Sequence, residues 1–277
     1  MLQAQSVLIT GCSTGIGRAL ALELAKRGHT VYATARRPET LDDIASANLI
    51  PLALDVLDPD SAAKAIATVI EKSGRLDMLI NNAGVSNTAP LVEAPLDRLK
   101  GIVDTNLTAV IAMIQAVFPT MADQGHGRIV NVGSVVGVLP TPFTATYCAS
   151  KAAVHMLSDT LRMELHPFNI DVIEVQPAAV RTEIEDRAAE GMDAFKDEKS
   201  RYRPYFEGIK ARFEGPKKKP FTAEQFAELT ADQIMQAKAP RIVRGGGESK
   251  LLHTLAKLPT AIREPMFIKE YGLSRKS

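Results

Sequence analysis

The sequence predicts an α/β fold in which a doubly wound, mostly parallel sheet carries helices on both faces. Six short runs rich in apolar or β-branched residues alternate with segments of helical periodicity. These runs are residues 7–9, 30–35, 49–54, 78–80, 128–132 and 170–175. Continuous apolar runs are typical of strands that are buried on both faces. Since right-handed crossovers place helices on both sides of such a sheet, the alternation predicts a parallel arrangement.

The elements follow in order along the chain. Ile16, Leu20 and Leu24 recur on one face of the first predicted helix, and Gly28 follows as a stop signal. After Gln176 the pattern changes to a polar stretch at 181–219, a predicted helix at 222–238 and a short strand at 241–243. The polar stretch has too little apolar periodicity to fold alone. We therefore predict one Rossmann-type domain over residues 1–277, with a core at about 1–180 and a substrate-covering segment and C-terminal extension at about 181–277.

Composition argues against several classes of protein. The net charge of +1 in 277 residues gives no broad footprint for nucleic acid, and the basic run at 217–219 is typical of a solvated loop. Cys12 and Cys148 lack the spacing of a disulfide framework or a zinc site, so no metal is expected. No signal peptide is evident, and the apolar stretch at 109–118 is too short for a bilayer. We expect a cytoplasmic protein without a transmembrane segment.

A glycine-rich turn follows the first strand and opens the first helix. Glycines at Gly11, Gly15 and Gly17 let the backbone approach a pyrophosphate, whose charge is favoured by free N–H groups and the helix dipole. The predicted cofactor contacts of this turn are Gly11, Ser13, Thr14, Gly15, Ile16 and Gly17. A purely structural glycine turn is the alternative.

Arg36 and Arg37 end the second strand, where an NAD-selective site places an acidic residue against the ribose. Guanidinium groups suit the additional phosphate of NADP. The pattern favours NADP(H), although an exposed pair of arginines before Pro38 is the alternative. Two further strand ends complete the predicted cofactor site with Asp55, Val56, Asn82, Ala83 and Gly84.

Tyr147 and Lys151 stand four residues apart, which places them on one face of a helix. A phenol with a pKa of about 10 is a slow acid–base group at neutral pH, and a nearby cation favours its phenolate. Ser134 lies at the end of the fifth strand, where its hydroxyl suits the oxygen of a substrate. An exposed helix pair and a turn-forming serine are the alternatives.

In their order, these motifs resemble those of the short-chain dehydrogenase/reductase family over residues 6–180. The resemblance implies that Tyr147 is the general acid–base, that Ser134 orients the substrate and that Lys151 holds the nicotinamide ribose. It also implies that Asn106 supports a proton relay, that Pro177 belongs to the cofactor site and that Val180 and Thr182 contact the carboxamide. Ala178 replaces the family's usual glycine, so we expect a small shift of this loop if its backbone requires positive φ.

The substrate is predicted to be a hydrophobic carbonyl or alcohol. The chain resembles family members that act on steroids, retinoids and acylated lipid ketones, and apolar residues flank the predicted site. These residues are Val135, Val136, Val138, Leu139, Pro140, Phe143, Leu251, Leu252, Leu255, Leu258, Met266 and Phe267. The alternative is that they pack the C-terminal extension onto the core or onto another subunit.

Two other functions and the state of assembly remain open from the sequence. A non-catalytic NADP-binding sensor or scaffold is compatible with the fold, although it would not require Asn106, Ser134, Tyr147 and Lys151 together. Sugar epimerases of a related fold normally have a larger substrate domain. Apolar faces at 96–121 and 148–165 predict a homodimer or homotetramer, as the resemblance also implies.

Overall fold

The computed structural model describes residues 4–184, 188, 190–215, 220–238 and 240–274. Parallel strands form one seven-stranded sheet in the order β3-β2-β1-β4-β5-β6-β7. The strands are β1 Ser6–Ile9, β2 Thr30–Ala35, β3 Leu49–Ala53, β4 Met78–Asn81, β5 Gly127–Val132, β6 Ile170–Pro177 and β7 Ile242–Gly245. The doubly wound fold is confirmed, and each predicted strand is present with its ends shifted by at most two residues.

Helices cover both faces of the sheet. They are α1 Gly15–Lys26, α2 Pro59–Ser73, α3 Leu96–Val103, α4 Ala109–Gln124, α5 Ala145–Glu164, α6 Phe206–Glu214, α7 Ala223–Ile234, α8 Ser249–Leu255 and α9 Thr260–Glu270. A π-helical turn at Asp104–Thr108 joins α3 to α4. Short 3₁₀ helices occupy Pro38–Ile44, Val135–Gly137, His166–Phe168, Met192–Lys196 and Arg203–Tyr205.

The core has two layers because successive strand side chains point to opposite faces. Val7 and Ile9 of β1 join the layer that packs under α1 and α7, with Phe226 buried in it. Leu8 between them belongs to the opposite layer, beneath α2 and α4. The predicted helix at 222–238 is therefore α7, and it is part of the same core as the first strand.

The order of the strands reverses at β1, which pairs with β2 on one side and β4 on the other. In open α/β sheets, the crevice beyond the carboxyl ends of the strands at such a switch point is where ligands bind. The turns after β1 and β4 meet here, because Thr10 Oγ1 accepts hydrogen bonds from the backbone N–H groups of Asn82 and Ala83, both at 3.0 Å. The topology thus locates the candidate site.

The segment after β6 packs on the core through a third apolar cluster. Phe143, Phe195, Ile209 and Tyr271 are buried together with Ala89. Phe143 makes edge contacts with Tyr202 and Tyr271 at ring distances of 6.2 and 6.4 Å. Segments on both sides of β7 are therefore joined to the loop between β5 and α5. The basic run at 217–219 lies outside the described residues.

One helix requires a correction to the membrane expectation. The stretch at 109–118 lies within a continuous helix, Leu96–Gln124, which is long and apolar enough by length and composition to span a bilayer. Our expectation of a segment too short for a bilayer considered only the apolar centre of this helix. Its inner face, including Met113, Val117 and Met121, packs in the core. Apolar composition of this kind is also typical of a core helix, so it is weak evidence for a membrane span.

Candidate active site

The glycine turn between β1 and α1 has the geometry that a dinucleotide requires. Gly11 and Gly15 have φ values of +71° and +62°, and a Cβ at Gly11 would lie 2.8 Å from the Cα of Ala83. Thr14 caps α1 without a side-chain hydrogen bond to it. The Thr14 side chain therefore leaves the first N–H groups of the helix uncapped. Such N–H groups at the edge of a cleft suit a pyrophosphate.

Gly17 has a structural role and does not line this cleft. A Cβ at Gly17 would lie 2.3 Å from Nδ2 of Asn82. That amide donates hydrogen bonds to the carbonyl oxygens of Thr10 and Gly11 at 2.9 and 3.0 Å. Gly17 therefore leaves space for the side chain that holds the two turns together, whereas Ser13, Thr14, Gly15 and Ile16 line the cleft itself.

The two arginines at the end of β2 occupy different positions. Both are exposed, but Arg36 lines the cleft whereas Arg37 begins the 3₁₀ helix Pro38–Ile44 and does not line it. Asp55 and Val56 line the cleft beside Arg36. Arg36 is therefore better placed than Arg37 to meet a phosphate on the adenosine ribose.

Residues predicted to bind the nicotinamide end of the cofactor also line the cleft. Pro177, Val180 and Thr182 all line it, and a Cβ at Gly15 would lie 3.2 Å from the Thr182 side chain. Ala178 does not have positive φ, so the alanine imposes no strain at this position. Its N–H donates to the carbonyl oxygen of Gly245 at 2.8 Å, and the positive φ falls on Gly246, at +98°.

The predicted catalytic side chains meet at the centre of the cleft. Ser134, Tyr147 and Lys151 line it together with Asn82, Ala83 and Gly84. Lys151 is buried, its Nζ donates to the carbonyl oxygen of Val132 at 2.7 Å, and the same atom lies 5.8 Å from the centre of the Tyr147 ring. Burial lowers the pKa of the Lys151 ammonium from 10.5 to about 8. A positive charge therefore lies beside the phenol near neutral pH.

Asn106 lies behind this centre and does not line the cleft. It is fully buried in the π-helical turn, where its side chain exchanges hydrogen bonds of 2.8 and 2.9 Å with the backbone of Val85 and donates to Ser150 Oγ at 3.1 Å. A Cβ at Gly84 would lie 3.3 Å from Asn106 Oδ1 and 3.7 Å from Lys151 Nζ. The structure thus brings Asn106 and Lys151 to the same glycine.

A buried polar pair, His155 and Glu174, lies beside the loop after β5 and was not predicted from the sequence. His155 Nε2 accepts a hydrogen bond from the backbone N–H of Ser134 at 3.3 Å and lies 3.2 Å from Glu174 Oε1. Burial, together with the Lys151 charge, lowers the pKa of His155 to about 4, and burial raises the pKa of Glu174. Both shifts favour the uncharged form of each group.

The surrounding backbone leaves room for this imidazole. A Cβ at either Gly133 or Gly137 would lie 2.3 Å from the His155 ring. His155 follows Lys151 by four residues on α5, and Glu174 interrupts the apolar run of Val172, Ile173 and Val175 in β6. These two features are the sequence signals that point to the pair.

The cleft continues from the catalytic centre to an apolar wall, with a cavity volume of about 680 Å³ in all. Val135, Val136, Leu139, Leu251, Leu252, Leu255 and Phe267 of the predicted wall line it, whereas Val138, Pro140, Phe143, Leu258 and Met266 do not. Phe143 packs in the third apolar cluster instead. Within the described part of the chain, no group of three or more His, Cys, Asp or Glu residues is arranged to hold a metal ion.

Comparison with known proteins identifies the class that this fold and site define. The family model for short chain dehydrogenases matches residues 5–193. The chain belongs to the short-chain dehydrogenase/reductase family and is an oxidoreductase of that family.

Two relatives and one solved structure are similar to the chain over most of its length. The chain is 40% identical over 232 residues to the NADPH-dependent 1-acyldihydroxyacetone phosphate reductase of Schizosaccharomyces pombe, covering 83% of this chain and 78% of that protein. It is 38% identical to a 3-ketodihydrosphingosine reductase of Bacteroides thetaiotaomicron, covering 67% of each chain. The crystal structure of a short-chain dehydrogenase from Streptomyces avermitilis superposes with a TM-score of 0.78 at 27% identity, covering 98% of both chains.

The neutral state of the His155 pair is testable through stability. We expect His155→Leu to lower the free energy of unfolding by about 1–3 kcal/mol, because the buried N–H of Ser134 loses its acceptor. Glu174→Gln should change it by less than about 1 kcal/mol, because an uncharged pair loses no charge–charge interaction when a carboxyl is replaced by an amide of the same size. Urea unfolding measures both variants against Glu164→Gln, an exposed control on the same helix. Glu174→Gln being as destabilising as His155→Leu would indicate a charged pair instead.

Proposed function

We propose that this protein is an NADPH-dependent reductase that converts the carbonyl of a hydrophobic substrate into a secondary alcohol. The observation that carries the proposal is the meeting of Ser134, Tyr147 and Lys151 in the same cleft as the glycine turn. Bound NADPH supplies the hydride. A non-catalytic sensor would need the turn but not these three side chains, so their placement favours an enzyme.

The proposed chemistry divides among three side chains. The Ser134 hydroxyl donates a hydrogen bond to the carbonyl oxygen and holds the substrate. The Tyr147 hydroxyl donates the proton that this oxygen needs once hydride has reached the carbon. The Lys151 ammonium, whose pKa is about 8, stabilises the phenolate that remains. As the family resemblance implies, Asn106 belongs to the path by which Tyr147 recovers its proton.

Arg36 supports the choice of NADPH over NADH. It lies at the carboxyl end of β2 and lines the cleft, where a guanidinium suits a ribose phosphate. The relative from Schizosaccharomyces pombe is named as NADPH-dependent, in agreement with this proposal.

Two observations support a hydrophobic substrate. Leu139, Leu251, Leu255 and Phe267 line the part of the cleft that the segment after β6 covers. Both named relatives are reductases, one for an acyl-bearing ketone phosphate and the other for 3-ketodihydrosphingosine. An acyl- or alkyl-chain ketone is therefore the substrate class that we favour, within the wider set of steroid, retinoid and lipid-like ketones.

The proposed assembly is a homodimer or homotetramer, built on the helices that the sequence singled out. Val103, Ile111, Met156 and Met163 are exposed on α3, α4 and α5. Pairing of these helices across a two-fold axis would bury them, and sedimentation velocity will reveal a monomer if this proposal is wrong. A cytoplasmic location stays a prediction.

Replacing Tyr147 tests the catalytic assignment. We expect Tyr147→Phe to lower kcat by at least about a thousandfold, because the proton donor is lost while the ring and its packing are kept. The dissociation constant of NADPH, measured by fluorescence titration, should change by less than about threefold. Substantial ketone-dependent NADPH oxidation by this variant would contradict the assignment.

Separate replacement of Arg36 and Arg37, which follow β2, tests the cofactor assignment. We expect Arg36→Ala to raise the dissociation constant of NADPH by about 10- to 100-fold, because a charge-assisted hydrogen bond to the phosphate is lost. The constant for NADH should hardly change. Arg37→Ala is the matched control and should leave both constants within about threefold of the parent. Equal losses for the two cofactors, or for the two variants, would count against Arg36 as the phosphate ligand.

A further inference from the structure

Arg212 is a cation of the cleft to which the proposed reduction assigns no role. It lies on α6, is half-buried and lines the same cleft as Ser134 and Tyr147. Its Nε donates to Thr141 Oγ1 at 3.1 Å, in the loop between β5 and α5. One edge of the guanidinium is thereby fixed to the loop that follows Ser134.

This guanidinium differs from the other arginines that are largely buried. Arg27 pairs with Glu23 and Asp232, both at 2.7 Å, and Arg128 pairs with Asp171 at 2.7 Å. In the ranges that the structure describes, no carboxylate lies within 4.0 Å of Arg212. Its terminal nitrogens likewise make no hydrogen bond to a residue within those ranges. Among the described residues, the guanidinium therefore keeps N–H donors that an anionic group in the cleft can use.

The other charged groups of the cleft are placed differently. Arg36 and Asp55 line its adenosine end, and Lys151 lies beneath Tyr147. Glu248 and Glu270 also line the cleft, but neither forms an ion pair with Arg212. Burial raises the pKa of the Tyr271 phenol, Arg212 lowers it and Glu270 raises it, which places both charged groups near that ring.

The groups that these observations place near Arg212 are the Thr141 hydroxyl and the Tyr271 phenol, and the Glu270 carboxylate lies near the same phenol without pairing with Arg212. Leu251, Leu255 and Phe267 line the same cleft and supply an apolar surface. A ligand with an anionic group and an apolar chain would match both the guanidinium and this apolar surface. A guanidinium matches carboxylate and phosphate oxygens through paired N–H donors.

We propose that Arg212 binds an anionic group, a phosphate or a carboxylate, of a ketone substrate that also carries a long apolar chain. This inference rests on the proposed reductase function and narrows its substrate class. It makes Arg212 a specificity-determining residue that distinguishes anionic ketones from neutral ones. The contact is made before and after hydride transfer alike, so it should affect KM rather than kcat.

Kinetics with a matched pair of ketones tests the proposal. The substrates are 1-decanoyldihydroxyacetone phosphate and the same ketone without its phosphate, each assayed by NADPH consumption. We expect Arg212→Gln to raise KM for the phosphorylated ketone by about 10- to 100-fold and to leave KM for the neutral ketone within about threefold. Arg212→Lys should raise KM for the phosphorylated ketone by an intermediate amount, because it keeps the positive charge but loses the paired N–H donors of the guanidinium.

Lys210→Gln is the control variant. It removes one positive charge from the same helix at an exposed position that does not line the cleft. Its KM values should equal those of the parent for both ketones. Equal effects of Arg212→Gln on the two ketones, or equal effects of the two variants, would overturn the proposal.

A binding measurement separates this inference from the proposed function. Calorimetry in the presence of NADPH compares decyl phosphate, decanoate and decanol, none of which is a ketone. Loss of decyl phosphate or decanoate binding in Arg212→Gln, with decanol unchanged, supports the anion site even if neither ketone is reduced. The ligand that loses more affinity identifies the anion as phosphate or carboxylate. Equal binding of all three ligands by the parent protein would overturn the anion site, whether or not the enzyme reduces ketones.

Discussion

The burial of the Lys151 ammonium is the constraint on which the site depends. A charged group is stable in a buried position only where polar atoms receive it, and here the carbonyl oxygen of Val132 does so at 2.7 Å. Val132 is the last residue of β5 and Lys151 lies on α5, so this hydrogen bond fixes the helix to the end of the strand. Tyr147 stands one helical turn earlier than Lys151 and is thereby held over the cleft.

Two buried side chains support this arrangement from behind. The Asn106 side chain hydrogen-bonds the backbone of Val85 and the hydroxyl of Ser150, so it links the turn after β4 to α5. His155 accepts the N–H of Ser134, so it links α5 to the loop after β5. The three side chains that we propose for catalysis, Ser134, Tyr147 and Lys151, are thus positioned by contacts among three elements that meet at the carboxyl edge of the sheet. Residues of α6, α8 and α9 line the substrate end of the cleft, and the aromatic contact between Phe143 and Tyr271 joins the end of α9 to the same loop.

Local patterns made the fold predictable from the sequence. Apolar runs fixed the strands, and glycines after β1 fixed the turn, because both signals lie within a few consecutive residues. The features that were missed join distant positions: Arg212 meets Thr141 across 71 residues, and Ser134 meets His155 across 21. Neighbouring residues of similar type could not be separated either. Arg36 lines the cleft whereas Arg37 begins a 3₁₀ helix, a difference set by the backbone after β2.

The pH dependence of ketone reduction tests the role of Lys151 most directly. Its pKa in the folded protein is lowered to about 8, so the ammonium is present below this pH and is lost as the pH rises through it. We expect kcat/KM for reduction with NADPH to be constant near neutral pH and to fall about tenfold per pH unit above about 8. A profile that stays flat until pH 10, where an unassisted phenol ionises, would contradict the account.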